Sequence, residues 1–179
     1  MRRQLIFHPD TPCAALSSLD AEASRSSPTR LNLQFVLEGD LEALRLPRAI
    51  MPERSDELWR HTCFEAFVRP SSGQAYGEIN LAPSRRWAAY GFNGYRQGMR
   101  DAAVLAPPLI EVSRRGGFFE LRAALEFDIL PPDVFWQVGL TAVIEAADGS
   151  ISYWSLAHPS GKPDFHNPDG FVLTLAPNG

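Results

Sequence analysis

Three polar side chains, Glu65, Glu78 and Asn80, are spaced to converge on one surface. Glu65 lies in an alternating run in which Cys63, Glu65 and Phe67 share one side and Thr62, Phe64, Ala66 and Val68 the other. After the turn signal Pro70-Ser71-Ser72-Gly73 the alternation resumes, with Tyr76, Glu78 and Asn80 set against Gly77, Ile79 and Leu81. An even loop centred on Ser71-Ser72 or on Ser72-Gly73 pairs Glu65 with Glu78 or with Asn80. Both registers put all three on the same face. Like charges directly across a sheet are destabilising, so the pair calls for an arginine, a cation or the hydroxyls of a ligand. The plainer alternative is a solvated face with Arg60 or Arg85 alongside.

Aromatic residues flank the acids. Trp59 opens the first strand of this group, and a turn through Ala82-Pro83-Ser84 carries Trp87 onto the face of Glu78 and Asn80. Rings that stack on the C–H faces of a sugar, with carboxylates and amides fixing its hydroxyls, form a saccharide-binding surface. Burial in the core is the competing fate of each tryptophan.

A second cluster follows the strand that carries Trp154. Within nine residues of a Pro/Gly-rich loop stand His158, Lys162, Asp164 and His166, and Lys162 is the only lysine in the chain. Prolines limit the loop's freedom, so these groups could be pre-positioned for a ligand. The loop is expected to fold back toward the sheet end carrying Trp154 and to share one pocket with Glu65. A structural turn, with Asp164 and His166 satisfying backbone groups, is the alternative. As metal ligands, the two histidines and the aspartate lack zinc-motif spacing and a fourth ligand.

Catalytic patterns are weak. No nucleophile elbow, zincin helix, P-loop or dinucleotide fingerprint occurs. His61 and Cys63 share a strand face but stand about 7 Å apart along it. Glu65 and Glu78 could form a glycosidase carboxylate pair, but nothing in the sequence marks a cleft. The expectation is a non-catalytic protein with no cofactor.

The elements that must position these groups are strands. Apolar alternation recurs at Thr29–Leu37, Trp59–Val68, Ala75–Leu81, Trp87–Phe92, Leu109–Ser113, Phe118–Phe127, Phe135–Ala146, Ile151–Ala157 and Phe171–Leu175. Turn signals separate them, including Arg115-Gly116-Gly117, Pro131-Pro132-Asp133 and the hairpin signal Asp148-Gly149. Leu16 to Ala23 suits a strand or a short helix. The pattern predicts an all-β fold, an immunoglobulin-like or jelly-roll sandwich of antiparallel sheets with at most short helical turns, as one domain over residues 1–179.

Composition narrows the function further. The 179 residues carry 17 basic and 21 acidic side chains, a net charge of −4 that offers no global attraction to nucleic acid or anionic lipid. No apolar run approaches a membrane span, and the apolar stretch after Arg2-Arg3 stops at His8-Pro9, too short for a signal peptide. Two cysteines, Cys13 and Cys63, fit a reducing compartment. A cytoplasmic protein is expected, with a small-molecule ligand and neither nucleic-acid nor membrane partners.

Several segments resemble the DOMON-like superfamily, which includes the type 9 carbohydrate-binding modules. The resemblance rests on Leu58-Trp59-Arg60-His61-Thr62-Cys63-Phe64-Glu65-Ala66-Phe67 and on Tyr76-Gly77-Glu78-Ile79-Asn80-Leu81-Ala82-Pro83 with Arg86-Trp87. The stretch Tyr90–Met99 and the loop Lys162-Pro163-Asp164-Phe165-His166 look like a bacterial stand-alone subgroup. The resemblance implies a β-sandwich whose members bind sugars or haem. In the sugar-binding members two tryptophans sandwich a sugar and a glutamate holds its hydroxyls. Trp59 and Glu65 match the first tryptophan and the glutamate, and Trp154 or Trp87 the second. In the haem-binding members iron is held by methionine, histidine or lysine; Met51, Met99, His61, His158 and His166 are available. Binding of a saccharide or a sugar-containing metabolite is the leading expectation. Haem binding and a purely structural or protein-association role stand as alternatives.

Overall fold

Alternating apolar residues become strands whose two faces meet different surroundings. The computed structural model describes residues 2–126, 131 and 133–177. In chain order the strands are β1 (Arg3–Gln4), β2 (Ile6–Phe7), β3 (Leu16–Arg25), β4 (Arg30–Gly39), β5 (Glu53–Arg54), β6 (Cys63–Pro70) and β7 (Tyr76–Leu81). They continue with β8 (Arg86–Phe92), β9 (Arg100–Asp101), β10 (Leu109–Arg115), β11 (Phe118–Glu126), β12 (Trp136–Glu145), β13 (Ile151–Ser155) and β14 (Leu173–Leu175). Among the described residues the helical elements are three 3₁₀ turns, at Leu41–Ala43, Leu58–Arg60 and Pro168–Gly170. No helix among them is long and apolar enough to cross a membrane. The expected strand end at Phe127 and part of the Pro131-Pro132-Asp133 turn (Pro132) lie outside the described residues.

Two sheets pack face to face. One has the order β1-β3-β4-β11-β10; the other runs β2-β13-β12-β6-β7-β8-β5, with β14 also on β12 and β9 also on β8. Pairing is antiparallel except for β5 on β8. The result is an all-β sandwich. The ambiguous segment from Leu16 is a strand: Leu19, Ala21 and Ala23 keep strict alternation and face the second sheet.

In the first sheet β4 and β11 alternate between buried and half-buried or exposed positions, as strands with one wet face should. The second sheet does not. β7 is buried at every position and β6 at all but Arg69, so both of its faces are covered. Its inner face gives Phe64, Ala66, Val68, Ile79, Leu81, Leu140 and Ala142 to the core between the sheets. Its outer face gives Cys63, Phe67, Tyr76, Tyr90 and Phe92 to a second apolar cluster, closed by Leu58 and Phe171 from the loops. Gly139 on β12 permits this cover, because a Cβ there would stand 2.8 Å from the Phe171 ring. A sandwich normally leaves this outer face to water. Here loops roof it, and a cavity lies beneath them.

Candidate functional site

The floor of the cavity is set by the register of the β6–β7 hairpin. Glu65 pairs with Asn80 and Phe67 with Glu78, the register of a loop centred on Ser72-Gly73. Glu65, Glu78 and Asn80 therefore share the outer face, with Thr141 of β12 opposite Glu65. The next turn breaks the expected parity. Ala82 pairs with Arg86 around Pro83-Ser84-Arg85, and Arg85 takes φ 72°. This three-residue turn with a left-handed last residue sets Leu81 opposite Trp87 and Asn80 opposite Ala88. Trp87 thus enters the inter-sheet core at 7% exposure.

Trp154 requires the same correction. It pairs with Ala142, an inner-face residue, and is 4% exposed in the core. Its neighbour Tyr153 takes the outer face and lines the cavity. Trp59 does border the cavity, but from the 3₁₀ turn Leu58–Arg60 rather than from a strand, with its ring edge-on to Tyr90 at 5.8 Å. His158 does not join the cavity; its Nε2 bonds the Ile6 carbonyl at 2.9 Å, and its ring meets His8.

The loop after His158 folds back over the outer face and brings Lys162, Pro163, Phe165 and His166 to the cavity wall, whereas Asp164, expected in the same pocket, does not line it. Asp164 acts as a latch between two loops. Its carboxylate accepts from Tyr95 Oη at 2.7 Å, from Arg96 Nη2 at 2.8 Å and from the His166 backbone N–H at 3.2 Å. His166 packs against the rings of Phe67 and Phe92 at 5.1 and 5.2 Å. Its Nδ1 lies 2.7 Å from Tyr76 Oη, which accepts the Arg96 backbone N–H. The tyrosine hydrogen is then best donated to Nδ1, leaving the imidazole proton on Nε2. Burial, then the charge of Arg96, lowers this histidine to about 4. A neutral Nε2–H stands 3.8 Å from Glu78 Oε2, too far for a hydrogen bond.

The cavity encloses about 540 Å³, within the range of small-molecule sites. Its floor holds two carboxyl groups, at 2% exposure for Glu65 and 4% for Glu78. One oxygen of each is held: Thr141 Oγ1 donates to Glu65 Oε2 at 3.3 Å and Asn80 Nδ2 to Glu78 Oε1 at 2.7 Å. Glu65 Oε1 and Glu78 Oε2 are buried without a hydrogen-bond partner. Desolvation, then the neighbouring Glu78 charge, pushes Glu65 well above the ordinary carboxylate range. Desolvation likewise raises Glu78 to about 7, against the Asn80 bond that favours its ionised form. An orphaned buried oxygen costs about 1–3 kcal/mol, so two in one cavity call for a ligand that hydrogen-bonds to both.

Sequence reasoning placed Phe67 on the face of Glu65 and offered Met99 only as a haem ligand; it missed Phe92, Val143, Tyr153 and Phe165 as the rest of the cavity's apolar wall, together with Arg96. The available signal was β6 to β8, where Cys63, Phe67, Tyr76, Tyr90 and Phe92 make the outer parity apolar or aromatic around Glu65, Glu78 and Asn80. A sheet apolar on both faces must be covered on both.

No family model matches the chain, and no curated protein matches it in sequence. Its fold is shared with solved structures. A Bacteroides uniformis protein proposed to bind carbohydrate is 16% identical with a TM-score of 0.71, over 98% of this chain and 85% of that one. A family 9 carbohydrate-binding module from Caldicellulosiruptor kristjanssonii, solved in complex with glucose, is 8% identical with a TM-score of 0.52, over the same shares. The chain therefore has the β-sandwich fold of carbohydrate-binding modules.

Proposed function

We propose that this chain is a non-catalytic binding domain that holds a saccharide in the cavity between β6–β8 and the 159–166 loop. The observation that carries this is the pair of partnerless carboxyl oxygens, Glu65 Oε1 and Glu78 Oε2, on the floor of an aromatic-walled cavity. Sugar hydroxyls supply the missing donors, and Trp59, Phe165 and Tyr153 offer ring faces and edges to the sugar's C–H surface. The family 9 module's glucose complex supports the same chemistry on this fold. The sequence motifs support a place in the DOMON-like superfamily, in its bacterial stand-alone subgroup, and the cysteine usage supports the cytoplasm.

Thermal denaturation across a panel of mono- and disaccharides tests the reading. A saccharide at 100 times its Kd is expected to add about 2.7 kcal/mol of stability. If none shifts the melting temperature and added haem instead produces a bound-haem absorption band, the alternative with His166 and Met99 as candidate ligands replaces it.

A further inference from the structure

The floor of the cavity is built for more than a neutral hydroxyl. Glu65 opposes Asn80 and Glu78 opposes Phe67, so the two acids are diagonal neighbours on adjacent strands. Such positions lie roughly 7–8 Å apart at the backbone, closer at Cβ, within reach of one small group. Each acid has one oxygen tied down by a neutral donor and one oxygen buried and free. A sugar hydroxyl brings one hydrogen. Two hydroxyls satisfy both orphan oxygens but add no charge, so two carboxyl groups still compete for charge in a dry site. A primary ammonium brings three donors and a positive charge, where the carboxyl groups' own hydrogen bonds come from the neutral Thr141 and Asn80.

We propose that the saccharide carries a primary amine, and that its ammonium group sits between Glu65 and Glu78. This rests on the saccharide reading and narrows it. The surrounding charges are compatible. Arg96, on the loop after β8, is held by Asp164. His166 is neutral above about pH 4. Lys162 is an exposed residue of the same cavity wall. From the strands, Tyr90 on β8 gives its hydroxyl to Asp56, and the Cys63 thiol on β6 stays protonated because burial raises it. A metal ion fits less well, since among the described residues no group of three or more His, Cys, Asp or Glu could hold one.

Binding an ammonium is expected to draw a proton off the acid pair. With Glu78 raised to about 7 by burial, the free protein at about pH 6.5 keeps a proton there that the bound state releases to buffer. The test is titration calorimetry of glucosamine, galactosamine and mannosamine, each beside its parent hexose and its neutral N-acetyl form. Measurements in two buffers of different ionisation enthalpy report proton release. At least one amino sugar is expected to bind about tenfold or more tightly than both neutral counterparts, with net proton release, and Glu78→Gln is expected to abolish that preference. If no amino sugar binds better than its parent hexose, or if Glu78→Gln keeps the preference, the amine assignment fails while hexose binding still supports the saccharide site. If neither amino sugars nor neutral saccharides bind, both readings fall.

Discussion

Trp154→Ala is expected to lower the free energy of unfolding by about 3–5 kcal/mol, whereas Trp59→Ala is expected to cost about 1 kcal/mol and to remove saccharide binding. The difference follows from place rather than residue type. Trp154 is fully packed between the sheets, donates its indole N–H to Ser152 Oγ at 3.0 Å and meets Phe7 edge-on. Its removal leaves a cavity the rigid sheets cannot close. Trp59 is partly exposed at the cavity mouth and contacts one ring, Tyr90, an edge contact worth about 1 kcal/mol. Denaturant unfolding of both variants, followed by calorimetry on whichever stays folded, checks the pair. Equal stability losses, or saccharide binding intact in Trp59→Ala, would contradict the assignment.

The second large effect is a pH dependence. Glu78 is raised to about 7 in the folded state against an ordinary 4.5, chiefly by desolvation. Between those values the folded protein holds a proton that the unfolded chain has released, so stability falls as pH rises through the window. The full shift corresponds to about 3 kcal/mol, and Glu65 acts in the same direction. His166 opposes it: an imidazole lowered from 6.5 to about 4 loses stability for the fold as pH falls through that range. The wild-type profile is thus a partial cancellation, which one variant separates. Relative to wild type, Glu78→Gln is expected to gain about 3 kcal/mol in unfolding free energy as pH rises from about 4.5 to about 8. A constant difference across that range would mean that Glu78 is ionised and solvated in the fold.

Much of the architecture was legible because it depends on local period. Strict alternation marked β4 and β11, and the Ser72-Gly73 loop fixed which residues of β6 and β7 share a face. The site's errors came from parity across irregular turns. Pro83-Ser84-Arg85 reads as an ordinary turn, but the left-handed Arg85 makes it three residues long and sends Trp87 to the other side. Tyr153 and Trp154 are adjacent aromatics on a strand, and either could face the core; the pairing of Trp154 with Ala142 decides it. Trp59 reached the cavity by another route, a 3₁₀ turn entered through Glu57 at φ 59°. The aromatic wall was hidden because Phe165, Phe92 and Tyr153 are distant in sequence and meet only when the 159–166 loop folds over the sheet.

The placement of the tryptophans gives a direct test of the saccharide site. Of the four in the chain, Trp87, Trp136 and Trp154 lie in the core between the sheets, and Trp59 borders the cavity. The measurement is a tryptophan-fluorescence titration of wild-type protein and of Trp59→Phe with a saccharide that raises the melting temperature. A saturable change in wild type that disappears in Trp59→Phe, while calorimetry still detects binding, is the predicted result. A change that persists undiminished in Trp59→Phe would place the ligand elsewhere and contradict the cavity as the binding site.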